Sequence, residues 1–137
     1  LLVAGPGLPV GKRSDAMCYL LDLFPTTCDF AGLPIPKEVE GKSLLPIIAG
    51  KEPRVRTEVF GAYRGFQRSI RTDRWKLIRY PQVDVTQLFD LQNDPDELKN
   101  LAQQPEQAER VLAMTKQLVG LQKELDDPLP LTASRKK

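Results

Sequence analysis

Between Tyr63 and Tyr80, Arg64, Arg68, Arg71, Arg74, Lys76 and Arg79 are interleaved with Tyr63, Phe66, Trp75 and Tyr80. Guanidinium groups beside aromatic rings are the chemistry of a nucleic-acid surface, where cations meet phosphates and rings stack on bases. On a strand the same residues are a solvated face whose arginine stems lie along apolar surface. Alternation favours the second reading: Arg68 is expected on one face with Ile70, and Trp75, Leu77 and Arg79 on another. A third use is an anion pocket at the strand mouth near Tyr63 and Arg64, because Gly61 and Gly65 let backbone approach a ligand closely.

Other groups carry less. Glu40-Gly-Lys-Ser43 has the end of a phosphate loop, but Pro36 stands where the first glycine is required and offers no amide. Gly5-Pro-Gly7 lacks the third glycine of a dinucleotide fingerprint. Asp90, Asp94, Asp96 and Glu97 do not follow calcium-loop spacing, and capping accounts for them better. Asp126-Asp127 opposes the dipole at a helix end and is expected in solvent. Cys18 and Cys28 have no metal spacing and no neighbouring base. The chain has no histidine, so it can build no Ser-His or Cys-His pair and no imidazole-bound metal.

The elements that would position these groups follow from periodicity. Alternation through Thr57–Ala62, Ile70, Trp75, Leu77 and Phe89 predicts an antiparallel meander with Thr72-Asp73-Arg74 as a tight connection. Asp94, Pro95 and Glu97 predict a short capped helix. From Pro105 a long helix is expected to bury Ala108, Val111, Leu112, Thr115, Leu118, Val119, Gln122 and Leu125 against the meander's apolar face. Earlier, Leu1–Ala4 reads as a strand buried on both faces whose neighbours lie upstream. Ser14 or Asp15 would cap a helix presenting Met17, Leu20, Leu21 and Phe24 until Pro25 interrupts it, and Ser43 a short helix from Leu44 to Ala49.

With 137 residues the chain is about one domain. Its net charge of +2 selects no nucleic acid, membrane surface or polyanion. No apolar run approaches a membrane span, and two cysteines leave the compartment open.

Five stretches in order, Pro6–Asp15, Leu21-Asp-Leu-Phe-Pro-Thr26 with Ala31-Gly-Leu-Pro34, Glu40–Pro46, Arg68–Pro81 and Gln87–Leu101, carry a family likeness. The chain resembles the C-terminal part of the sulfatases, arylsulfatase-like members of the alkaline-phosphatase-like superfamily. The resemblance implies an α/β fold, α+β within this chain. Residues 1–50 would be the end of the large N-terminal domain, 51–130 a small antiparallel sheet of about four strands packed by the long C-terminal helix, and 131–137 a flexible basic tail. It implies hydrolysis of sulfate esters or sulfamates by a formylglycine with a calcium ion, both in a missing N-terminal part that would be this chain's partner. Neither Cys18 nor Cys28 stands in the Cys/Ser-x-Pro-x-Arg modification motif. No catalytic or metal residue is therefore expected here, and the chain alone is expected to be inactive. Tyr63, Arg64, Gln67 and Arg68 are the expected contacts to a sulfated small molecule or carbohydrate, and family habit implies a periplasmic or secreted protein.

Two other readings stand beside this one: a stand-alone interaction or anion-binding module, and a phosphate or phosphonate ester hydrolase of the same superfamily. The truncated-hydrolase reading expects exposed apolar surface at Leu1–Val3 and Met17–Phe24, whereas a self-contained module would bury it.

Overall fold

The alternating stretch folds as an antiparallel meander in a computed structural model that describes residues 1–131. Its strands β1 (Glu58–Tyr63), β2 (Gln67–Thr72), β3 (Trp75–Tyr80) and β4 (Val85–Asp90) lie in sequence order across one sheet. The β2–β3 connection succeeds without glycine because Thr72 closes it. The Trp75 amide donates to Thr72 Oγ1 at 3.0 Å, and that hydroxyl donates to the Trp75 carbonyl at 3.3 Å. Beyond β4, Asn100 Oδ1 accepts the Leu88 amide at 3.0 Å and the Leu101 amide donates to the Leu88 carbonyl at 2.8 Å. The following loop thus satisfies edge groups that would otherwise invite another strand.

Register decides what lies under the helix. Phe60 opposes Ile70, Ile70 opposes Leu77, and Leu77 opposes Leu88. The same register sets Arg68 opposite Arg79, so Arg68, Ile70, Leu77 and Arg79 share one face, correcting the expected division. Alternation fixes parity within a strand, but only the two-residue turn fixes parity between strands.

After a turn of 3-10 helix at Pro105–Gln107, α3 (Ala108–Glu124) covers this face. Met114 and Leu118 enter a core with Ile70, Leu77, Leu88 and Leu131, flanked by Val111 and Leu121. Leu118, Gln122 and Val111 face inward as expected, but Ala108, Leu112, Val119 and Leu125 are exposed. Met114 and Leu121 take the inward places, and the unbranched Met114 fills the uneven gap over the sheet. Of the expected tail at 131–137, Leu131 is buried in this core, and the remainder lies outside the described residues.

The helix expected at Asp94 is a capped turn instead. Asp94 accepts the amides of Leu98 at 3.0 Å and Lys99 at 2.8 Å. Glu97, however, adopts φ 56°, which breaks helical continuation, and its carboxylate binds Lys76 Nζ at 2.6 and 2.8 Å.

Residues 1–57 form a separate compact unit. Leu1–Ala4 is irregular rather than a strand, since no described strand offers it ladder partners. The expected Met17–Phe24 helix is replaced by a 3-10 turn at Leu20–Asp22 leading into α1 (Leu23–Phe30). Pro25 does not interrupt it, because it occupies the first turn, where its missing N–H has no intrahelical partner to lose. Ser43 Oγ accepts the Leu45 amide at 3.2 Å, but the expected Leu44–Ala49 helix shortens to α2 (Leu45–Ile48), whose N-cap is Leu44 with no side-chain bond. Leu1, Leu2, Val3, Leu20, Leu21 and Phe24 are exposed, and Met17 is half-buried.

Asp22 organises this unit. Its fully buried carboxylate accepts the amides of Tyr19 at 2.7 Å and Lys42 at 2.8 Å and both terminal nitrogens of Arg56, one of them at 2.7 Å. Burial pushes the Asp22 pKa up, but the Arg56 pair and the two amides outweigh it and leave it below the ordinary value. Thr26, also buried, donates to the Asp22 carbonyl at 2.5 Å and accepts the Leu44 amide at 2.9 Å. The Leu21–Thr26 motif that carries much of the family likeness therefore works as a structural staple.

Candidate functional site

The β1–β2 hairpin ends in a three-residue loop, Arg64-Gly65-Phe66, closed by the Phe66 amide donating to the Tyr63 carbonyl at 3.1 Å. Arg64 takes φ 46°, a left-handed conformation uncommon for arginine. That turn keeps its side chain exposed, with the guanidinium carbon 5.7 Å from the centre of the Tyr63 ring. Tyr63 and Phe66 are exposed too, their ring centres 6.1 Å apart and inclined at 34°. No described carboxylate forms an ion pair with Arg64. The loop therefore presents a cation and two apolar ring faces together, a combination suited to an anionic group attached to a sugar or aromatic ring.

Of the four expected contacts, Tyr63 and Arg64 are at this surface, and Gln67 is half-buried at the foot of the loop as the pairing partner of Tyr63. Arg68 is different. It is buried, and its Nε and one terminal nitrogen donate to Asp127 at 2.6 and 2.7 Å. Its other terminal nitrogen donates to the carbonyls of Arg64 at 2.6 Å and Gln67 at 2.8 Å. Arg68 thus supports the loop from behind, while Gln82 holds it from the side by donating to the Gly65 carbonyl at 3.1 Å.

Asp127 corrects the expectation of a solvated helix end. Asp126 leaves α3 at φ 50°, and Asp127 returns to the sheet, where it also accepts Gln122 Nε2 at 2.6 Å. The Arg68 guanidinium, aided by Gln122 and working against desolvation, lowers its pKa to about 2. No periodicity in the sequence pointed to this residue. Its one signal is an acidic side chain just past a helix end, which by itself is uninformative.

A second carboxylate, Asp90, is held by Arg74 at 2.7 and 2.9 Å and by Asn93 at 2.9 Å. Chiefly through Arg74 its pKa falls to about 2, so it braces the β4 end as an ion. Among the described residues no cluster of three or more acidic or cysteine side chains could hold a metal, and no helix is long and apolar enough to cross a membrane.

The family described as N-sulphoglucosamine sulphohydrolase, C-terminal, matches residues 1–124. Human Arylsulfatase K is 35% identical over 116 residues, covering 74% of this chain and 22% of the relative. A Delta 4,5-hexuronate-2-O-sulfatase of Bacteroides thetaiotaomicron is 36% identical over 115 residues, 76% of this chain and 24% of that protein. The chain thus spans about a quarter of these relatives. A crystal structure of a putative sulfatase from Bacteroides thetaiotaomicron superposes with a TM-score of 0.80 at 29% identity, over 97% of this chain and 32% of the other. With a four-stranded antiparallel sheet, a long C-terminal helix and this match along nearly its whole length, the chain belongs to the N-sulphoglucosamine sulphohydrolase C-terminal family as a C-terminal sulfatase portion.

Proposed function

We propose that this chain is the C-terminal part of an enzyme that hydrolyses sulfate esters or sulfamates of carbohydrates, and that its β1–β2 loop contacts the part of the substrate beyond the sulfur. The match over residues 1–124 carries the reading. The unit of residues 1–57 completes the larger domain, and the sheet with α3 forms the C-terminal subdomain. The exposed Leu20, Leu21 and Phe24 support it, since they are surface that further protein would cover. Tyr63 and Phe66 lie against the sugar, Arg64 meets an anionic substituent, Gln67 adds a polar contact, and Arg68 holds the loop in place.

Calcium and formylglycine do not fit the residues of this chain. Cys18 is followed by Tyr-Leu-Leu and Cys28 by Asp-Phe-Ala, and the paired carboxylates Asp22, Asp90 and Asp127 are each committed to an arginine. In this reading both groups reside in the part of the enzyme outside this chain. Sulfate release by the full-length protein from a sulfated disaccharide is the test. Turnover of a phosphonate ester with no sulfate released would overturn the reading in favour of the other superfamily chemistry.

A further inference from the structure

We infer that Asp127 is a positioning residue for the β1–β2 loop, acting through Arg68 to hold Arg64 in the conformation that meets an anionic sugar substrate. This rests on the reading above, in which Arg64 contacts substrate. Arg68 has five N–H donors in a rigid plane. Two go to Asp127, and the opposite edge of the same guanidinium binds the carbonyls of Arg64 and Gln67. Because the group is planar, fixing one edge fixes the other, so Asp127 sets where the Arg64 carbonyl is held.

Asp127 is itself fixed. Gln122, buried on α3, donates from one amide nitrogen to Asp127 Oδ2 at 2.6 Å and to the Leu129 carbonyl at 2.7 Å, and the Asp127 amide donates to the Gln122 carbonyl at 2.8 Å. Rigidity therefore passes from α3 through Gln122, Asp127 and Arg68 to the Arg64 peptide. The left-handed Arg64 conformation is costly for a residue with a side chain and persists where surrounding bonds impose it. Once Asp127 no longer aligns the guanidinium, that peptide is free to relax and the exposed cation loses its fixed direction.

The test uses the full-length protein carrying D127N, D127E, R68K or R64A. Steady-state kinetics are measured on a sulfated disaccharide, and trypsin nicking after Arg64 is followed well below the unfolding temperature. D127N is expected to raise KM about fivefold with kcat falling less than twofold, and to speed nicking about tenfold, as befits a released charge-assisted bond. D127E restores part of both. R68K, the milder change should D127N fold poorly, keeps the charge but not the second edge and gives the same pattern. Unaltered KM and nicking in D127N and R68K would overturn the inference, as would a kcat that falls as far as KM rises. An unaltered KM in R64A alongside faster nicking in D127N would instead remove the loop from the substrate site and leave the positioning intact.

Discussion

Asp127 grips Arg68 from 59 positions along the chain with both carboxylate oxygens, and both side chains are about nine-tenths buried. The pair joins the end of α3 to the root of the β1–β2 hairpin. Removing one member strands a buried charge, so Arg68→Ala or Asp127→Ala is expected to cost about 3 kcal/mol in denaturant unfolding of the full-length protein. Replacing both by apolar residues of similar volume should recover most of that loss. A double variant as unstable as the sum of the singles would show that the pair is not the source.

Acid should loosen the fold in a defined window. Asp127 and Asp90 have pKa values of about 2 against an ordinary 3.8, each held down first by its arginine. Because the folded state lowers these values, their stabilisation is complete above about pH 4 and is lost as pH falls toward 2. Melting temperature should therefore stay level down to about pH 4 and then decline, with a smaller decline in D127N. An equally steep decline in D127N would contradict the assignment.

Two glycines should respond in opposite directions to alanine. A Cβ on Gly41 would stand 2.3 Å from the Leu21 carbonyl oxygen, backbone that cannot swing aside, so Gly41→Ala should destabilise by about 1–3 kcal/mol. Gly120 lies inside α3 with nothing within 4 Å of an added Cβ, and Gly120→Ala should stabilise by about 0.5–1 kcal/mol. Chemical denaturation of the two variants decides both.

Thr26 offers a narrower test of the Leu21–Thr26 staple. Thr26→Val keeps the shape but leaves the Leu44 amide without its 2.9 Å acceptor, an expected loss of about 1–3 kcal/mol. Thr26→Ser should retain the bond and most of the stability.

Much of the sheet was legible because strands wet on one face write a period of two. The places of β1 to β4 and the glycine-free turn at Asp73-Arg74 followed from it. What alternation lacks is the phase between neighbouring strands, so Arg68 and Arg79 were expected on different faces although the register pairs them. Leu1–Ala4, whose expected strand partners lie outside this chain, takes no strand form by itself, and the Met17–Phe24 run becomes helical only around Leu20–Phe24, because short apolar runs acquire strand or helix form from their neighbours. Asp94 was recognised as a cap, but the left-handed Glu97 turned the cap into a turn. Ring-cation spacing points to Tyr63 and Arg64 as a candidate surface, but the expected hinge glycines do not make the turn: Gly61 lies within β1 and Arg64 itself takes the left-handed conformation. Asp127 was missed because an ion pair across 59 residues leaves no local pattern.

The most direct measurement is the KM of the full-length R64A variant on a sulfated disaccharide beside its KM on a small aryl sulfate. Removing one charge-assisted contact to the distal part of the substrate should raise the first about tenfold and the second less than twofold, with the melting temperature unmoved. Equal values for variant and parent on both substrates would contradict a role for this loop in choosing what the enzyme cleaves.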